Sequence, residues 1–374
     1  MNKHKIYTTD GKVKHLTTDE GINEKLSRII GPKFDEYRKK WDLANDFKLV
    51  TDFPLFLQIE LNQTCNYRCP HCIIGNPDEM PSIYDPKENL NFSQYKKIID
   101  EAADHKCPSI SAQGENEPFL NKKFEEYIYY SHKKGIIDIM TNTNGSAITK
   151  KRSQKILDSG LTRLRFSLDA FTDETYKKVR VGAIDLDKVK KNIFDFLDLK
   201  EKGGYKLPIV GVSFCQLSTN IHELEDFKNY WKDKVDIVSI QTYVPPSLNK
   251  KSHFDFYTED QFYAEHNLNF RCNQPFQRMQ IRNDEIFPCC YSLVLSDKGT
   301  ENYENFLIGN LKTHTIHQAW NSEKMRKLRK LQIEGRLADN PTCLNCAKFT
   351  FPTKKFVEMQ SKKFDQNEKQ TNKA

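Results

Sequence analysis

The sequence has no run of 18 apolar residues, so no transmembrane helix is expected. Its start, MNKHKIYTTDGKVKH, lacks the apolar stretch of a signal peptide. Apolar residues are scarce, 37% of 374, yet sufficient for a core of this size. The middle of the chain has almost no net charge. Of the total +7, residues 1–50 and 352–374 carry +3 each, which leaves +1 for residues 51–351. A nucleic-acid footprint spread over the folded middle is therefore not indicated. No repeat recurs at a fixed 20–50-residue period. Cysteine, by contrast, is plentiful, with ten residues. Ten cysteines without a secretion signal point to reduced thiols in a cytoplasmic protein, hence metal or redox chemistry.

The length suits one large α/β domain plus a smaller one. Residues 1–50 are polar, with one helix-like stretch at 24–44. Strand-like segments follow at 53–60, 108–113, 136–141, 164–169, 209–215 and 235–241. Helix-like segments separate them, at 93–103, 124–134, 150–159, 187–202 and 222–231. This alternation predicts a parallel sheet of βαβ units, an open partial (β/α)6 barrel over residues 51–246. Residues 247–270 read as a polar linker. Residues 271–351 form a small cysteine-rich region, with short strands at 278–282 and 285–288 and a helix at 322–332. Residues 352–374 have little apolar content and are expected to be a disordered tail.

The sharpest motif is Thr64-Cys65-Asn-Tyr-Arg-Cys69-Pro-His-Cys72, in the loop after the first strand. Three thiolates so close in sequence can converge on one metal centre. A structural zinc normally takes four protein ligands, and no fourth follows locally. A [4Fe–4S] cluster also normally takes four thiolates, so three leave one iron open. A zinc knuckle remains the bland alternative. The motif resembles that of the radical S-adenosylmethionine (SAM) superfamily, where it follows the first strand of a partial barrel. The resemblance implies that Cys65, Cys69 and Cys72 hold a [4Fe–4S] cluster whose open iron is chelated by SAM. It implies that His71 packs near adenine.

Other segments resemble the family in the expected order. Gly114-Glu-Asn-Glu117-Pro118 matches the family's Gly-x-Gly-Glu-Pro, with Asn116 in place of a glycine. The resemblance assigns Glu117 to the SAM ammonium, where a charge-assisted hydrogen bond is physically sound. Thr143-Asn144-Gly145 stands where the family borders the SAM pocket. Ser167-Leu-Asp169 precedes a segment ending at Arg180. By carry-over Ser167 contacts SAM, Asp169 reaches ribose or substrate, and Arg180 pairs with the SAM carboxylate, a contact its planar fork suits. Val212 to Gln216 are expected along the adenine edge. Gln241 and Tyr243 are expected to face substrate. Cys215, near the barrel mouth, is a candidate hydrogen-atom donor to a substrate radical.

Cys272, Cys289, Cys290, Cys343 and Cys346 fall in the C-terminal region. Four of these thiolates suffice for a [4Fe–4S] or a zinc site, and spacing alone does not choose. The surrounding segments do: Cys272-Asn-Gln-Pro-Phe276, Ile281-Arg-Asn-Asp-Glu-Ile-Phe-Pro-Cys289-Cys, Ile308-Gly-Asn-Leu311 and Cys343-Leu-Asn-Cys346. Together they resemble the SPASM/twitch domain that follows many radical SAM barrels. The resemblance implies an auxiliary [4Fe–4S] cluster on Cys272, Cys289, Cys343 and Cys346, with Cys290 able to replace Cys289. Asp284 departs from the family, which usually has glycine there. Cys107 reads as a buried structural thiol.

The resemblance implies a radical SAM enzyme that cleaves SAM to a 5′-deoxyadenosyl radical and abstracts a C–H hydrogen. The expected substrate is a small carbohydrate- or cyclitol-like metabolite, oxidised or epimerised with help from the auxiliary cluster. A flavodoxin or ferredoxin is the expected electron donor and a monomer the expected state, with no nucleic-acid or membrane partner. Two other functions stay open. One is a maturase of a ribosomally made peptide, which normally needs a larger leader-recognition segment than the 50 residues here. The other is a non-catalytic cysteine-rich metal-binding protein.

Overall fold

In the computed structural model the described strands pair as one eleven-stranded sheet, from Lys5 to Asn310. The structure describes residues 5–9, 13–17, 21–77, 85–87, 89–246, 251–290 and 301–371. Strands β1 (Lys5–Thr9) and β2 (Val13–Thr17) form an antiparallel hairpin, followed by helices α1 (Ile22–Ile30) and α2 (Pro32–Asn45). The single helix expected at 24–44 is thus two. Gly31, at φ 85°, takes a left-handed conformation that favours glycine, and Pro32 then begins the second helix.

The βα alternation then appears as expected. It comprises β3 (Phe56–Glu60), α3 (Phe92–Asp104), β4 (Ser109–Ser111), α4 (Phe124–Lys133), β5 (Asp138–Thr143), α5 (Lys150–Asp158), β6 (Arg163–Ser167), α6 (Asp173–Val179), α7 (Leu186–Lys202), β7 (Ile209–Gln216), α8 (Leu224–Trp231) and β8 (Ile237–Thr242). β3 through β8 are parallel neighbours in sequence order. Helix α3 shows how each unit is specified. Asn91 caps it by accepting from the Gln94 N–H (2.9 Å), and Gln94 returns a bond to the Asn91 N–H. Tyr95, Ile98, Ile99 and Ala102 recur at helical spacing and are buried. Burial of each of the three larger side chains contributes about 1.5–3 kcal/mol.

The C-terminal region does not stand apart from this sheet. After α9 (Gln274–Gln277), β9 (Arg278–Arg282) pairs in parallel with β3, from Phe56 opposite Arg278 to Glu60 opposite Arg282. β10 (Glu285–Phe287) and β11 (Gly309–Asn310) extend the edge antiparallel. The left-handed residue of the β9–β10 turn is Asn283 (φ 50°), so Asp284 does not have to supply the missing glycine. Helices α10 (Glu301–Phe306), α11 (Ile316–Trp320), α12 (Glu323–Ile333), α13 (Pro341–Thr350) and α14 (Lys354–Thr371) complete the chain. The last overturns the disordered tail. Thr353 caps α14 at the Phe356 N–H (3.1 Å), and Phe356 packs on Phe349, with ring centroids 5.4 Å apart. A few well-placed apolar residues dock a segment whose average composition is polar. Residues 251–270 are also more than a linker. Phe254 and Tyr257 are buried, and Phe256 lies against His71. Among the described residues, no helix is long and apolar enough to cross a membrane.

Candidate active site

Strand alternation decides what the barrel presents to its lumen. On β6, Arg163, Arg165 and Ser167 face inward, while Leu164 and Phe166 are buried beneath the helices. On β7, Phe214 packs on Phe227 of α8 (5.0 Å), so the even-numbered positions face outward. Gly211, Ser213 and Cys215 therefore face in. This corrects the place of Val212, which is fully buried on the helix side and cannot border adenine. Inward-facing Asn142, Arg165, Ser167, Cys215 and Gln241 are only half-buried, whereas their outward neighbours Thr141, Leu164, Phe166, Phe214 and Ile240 are buried. The lumen is polar and half-open at these positions, while Ser111, Ser213 and Ser239 on the same face are buried.

The Cys65–Cys72 loop closes tightly over the end of β3. The Cys72 N–H donates to the Cys69 carbonyl (3.0 Å), and Arg68 donates to the Cys65 carbonyl (2.6 Å). Gly75 is required there, because a Cβ would lie 2.0 Å from the Cys69 carbonyl oxygen. Each thiol has its own polar neighbour. Cys65 Sγ accepts from the Tyr67 N–H (3.4 Å) and is 4.0 Å from Asn144 Nδ2. Cys69 Sγ is 3.8 Å from an Arg180 terminal nitrogen, and Cys72 Sγ is 3.9 Å from Glu115 Oε2. Burial pushes the Cys65 thiol up to about 11 and raises Cys69 and Cys72 as well, the last further lifted by Glu115. The thiols also act on one another, since charge on Cys69 raises both Cys65 and Cys72.

Asp169 is the hub of the mouth. It is buried and holds φ 59°, a left-handed conformation uncommon for a non-glycine residue. Its Oδ1 accepts from the Cys215 N–H (2.8 Å), and its carbonyl accepts from Asn220 Nδ2 (2.8 Å). Its Oδ2 pairs with Arg180 and lies 3.4 Å from His71 Nε2. Burial alone would raise this carboxyl, but Arg180 and His71 outweigh it and hold Asp169 below the ordinary range. His71, Asp169, Arg180 and Cys215 thus come together at the mouth, with Arg180 already paired with Asp169. Ser167 Oγ is 3.5 Å from Ser213 Oγ, just inside the mouth.

Glu117 departs from expectation. Its carboxylate accepts from Thr143 Oγ1 (2.7 Å) and from the N–H groups of Phe119 (3.2 Å) and Asn144 (2.6 Å). It is buried as a fastener between two loops, and Glu115 is the carboxylate at the thiols. Asn116 does not disturb the loop: it accepts from the Gly114 N–H and donates to Asn62, each at 2.9 Å. Asn144 donates to Asn66 (2.9 Å) and accepts from Ser146 Oγ (2.7 Å), tying the β5 loop to the cysteine loop.

Two features were missed from sequence. One is Arg165, legible in the alternation of Arg163-Leu-Arg165-Phe-Ser167. The other is the fully buried pair of Arg282 with Glu60 (2.8 Å), which joins β9 to β3. No local motif signals it, because its partners are 222 residues apart.

In the C-terminal region, the Cys272 N–H donates to Gln332 Oε1 (2.8 Å). Cys343 and Cys346 are one turn apart on α13, which Asn340 caps at the Cys343 N–H (3.0 Å). Burial raises the Cys343 thiol, and charge on Cys272 and Cys346 raises it further, so the three lie together. Cys289 packs in the same apolar cluster as Cys343, with Phe287, Tyr303 and Phe306, while Cys290 is exposed.

An open barrel with three thiols at its mouth, continued by a second thiol set, suits an iron–sulfur protein. Comparison agrees. Residues 59–230 match the radical SAM superfamily model, and residues 272–347 match SPASM, an iron–sulfur cluster-binding domain. The chain belongs to the radical SAM superfamily and carries a C-terminal SPASM domain. These domains imply bound SAM and both SAM-binding and auxiliary [4Fe–4S] clusters. The chain is similar to the GTP 3′,8-cyclase of Aliarcobacter butzleri, 26% identical over 215 residues, covering 50% of this chain and 63% of that protein. It is also similar to the GTP 3′,8-cyclase of Staphylococcus carnosus, 28% identical over 180 residues, covering 48% and 51%. It thus spans about half to three-fifths of these relatives. Among solved structures, anSMEcpe with bound AdoMet gives a TM-score of 0.54 at 14% identity, covering 74% of this chain and 83% of that one. SuiB of Streptococcus suis bound to S-adenosylmethionine gives 0.51 at 17%, covering 79% and 70%. These two likenesses are of fold.

Proposed function

We propose that this radical SAM enzyme abstracts a hydrogen atom from a C–H bond of a small polar metabolite held in the barrel lumen, with net oxidation of that metabolite. The observation that carries the reading is the half-open, polar inward face around Arg165, Ser167, Cys215 and Gln241. The relatives named GTP 3′,8-cyclase support a small-molecule substrate. Cys65, Cys69 and Cys72 would hold the SAM-binding cluster, and Cys272, Cys289, Cys343 and Cys346 the auxiliary one. The donor set fits. Buried, mutually repelling thiols favour ionisation only beside a strong cationic centre. In the same mouth, the buried His71 Nδ1 and Arg180 Nε have no hydrogen-bond partner among the described residues, which suits a polar cofactor. When bound, these groups supply a hydrogen-abstracting 5′-deoxyadenosyl radical and a sink for the remaining electron.

The chain's own residues bind and orient. Arg180 is placed for the SAM carboxylate and His71 for the adenine, with Asp169 fixing both. Asn144 and Ser167 line the mouth from β5 and β6. Glu117 acts indirectly, by holding the Asn144 backbone. Cys215 faces the lumen from β7, where its thiol, raised by burial, stays protonated. A flavodoxin or ferredoxin would deliver the first electron, and the protein would act as a monomer in the cytoplasm. Anaerobically reconstituted protein given SAM and dithionite should form 5′-deoxyadenosine. No 5′-deoxyadenosine from protein with full iron content would overturn the reading.

A further inference from the structure

Several arginines reach the lumen or its mouth, and three of them are paired with carboxylates. Arg163 forms two contacts with Asp138 (2.9 and 2.5 Å). Arg282 pairs with Glu60 (2.8 Å), and Arg180 pairs with Asp169. Arg278 lies over the rings of Phe56 (4.8 Å) and Trp41 (5.6 Å) at the closed end. Arg165 differs. Its Nε donates to Asn142 Oδ1 (2.9 Å), and its two terminal nitrogens have no protein partner among the described residues. No carboxylate is paired with it there. The acid whose charge acts on it is Asp169, which is committed to Arg180 and His71.

An uncompensated guanidinium in a half-buried place is costly. Burial, with Arg163 next in effect, pulls Arg165 down to about 10, so the site disfavours the charge that the side chain carries. The surroundings nevertheless hold it in place. Asn142 fixes Nε, and the Asn142 N–H is itself held by Gln113 Oε1. Gly211, level with Arg165 on β7, brings no side chain into the lumen, and Ile237 fills the space beside it. A guanidinium anchored at Nε presents its terminal nitrogens as a fork, the geometry that suits an oxyanion. The strand rise places Arg165 about 7 Å deeper than Ser167.

We propose that the substrate carries a carboxylate or phosphate that pairs with Arg165 inside the barrel. The rest of the molecule then extends toward Ser167, Cys215 and the mouth. This deepens the lumen reading above and rests on it: Arg165 sets which small molecules enter, by charge and by depth.

Phenylglyoxal, which modifies accessible arginines, tests the assignment on the reconstituted, SAM-loaded protein without any variant. Peptide mass spectrometry reads labelling at Arg165 with inorganic phosphate, with acetate or with neither. Labelling at Arg165 that falls severalfold with one anion supports the proposal, and the more protective anion tells phosphate from carboxylate. Labelling that neither anion changes overturns it. In calorimetric titration with the same anions, Arg165→Gln should weaken binding about tenfold or more at equal iron content, with Arg165→Lys recovering part. Equal affinity in wild type and Arg165→Gln would equally sink the idea. Should Arg165→Gln not fold, Asn142→Ala, which frees the Nε anchor, should weaken binding by a smaller factor, and unchanged binding there counts against the proposal. Formation of 5′-deoxyadenosine tests the enzyme reading separately, so either can fail alone.

Discussion

The two cysteine sets differ in what surrounds them. Those of the barrel come from one short loop, and each thiol stands beside a different polar group: Asn144, Arg180 or Glu115. Those of the C-terminal domain come from three separated segments. Two of them, Cys289 and Cys343, pack against the rings of Phe287, Tyr303 and Phe306, and Cys346 Sγ lies 3.9 Å from the Thr350 hydroxyl. The ionisable neighbours acting on Cys343 are the other cysteines. A site ringed with charged groups can take part in binding a charged cofactor. A site ringed with aromatic side chains can hold its metal and exchange electrons, and offers little to a polar ligand.

Substitutions in each set should separate these roles. Cys69→Ala should have the largest effect, abolishing 5′-deoxyadenosine formation and leaving about four irons per chain. Chromatography of the nucleoside and an iron assay measure both. Cys343→Ala should also lose about four irons, yet still cleave SAM with dithionite and fail at substrate oxidation. If it stopped SAM cleavage, the contrast between the sites would collapse. Arg282→Met breaks the buried pair that ties one domain to the other. It leaves Glu60, whose carboxyl burial already raises, without its partner. The expected loss is about 3–5 kcal/mol in denaturant unfolding, and Glu60→Gln in the same chain should restore part of it. The smallest effect should come from Val212→Ala, about 1–2 kcal/mol of stability, with the KM for SAM unchanged. A raised KM would return Val212 to the cofactor.

Much of this was legible in the sequence because it is local. Cys65, Cys69 and Cys72 are neighbours in the chain, and the order of strands and helices follows from short-range periodicity. Asp169 and Arg180 were legible by resemblance, but their mutual pairing was not. Which residues a strand shows to the lumen depends on its register against a helix layer, and there Val212 misled while Arg165 went unread. Glu117 misled for a related reason: the motif identifies a carboxylate, but neighbouring N–H groups decide where it points. The α14 helix was hidden because averaging composition over 352–374 dilutes Phe356 and its docking on Phe349.

The parallel pairing of β3 with β9 has a consequence for the order of events during synthesis. β3 leaves the ribosome early, and its edge partner follows about 220 residues later. At ribosomal rates of about 5–20 residues per second, that interval is roughly ten seconds or more. Through it, Phe56–Glu60 is an unpaired strand margin with a lone acid at its end, open to other nascent chains. The barrel is therefore finished from its far end, and the strand that finishes it also belongs to the second metal domain.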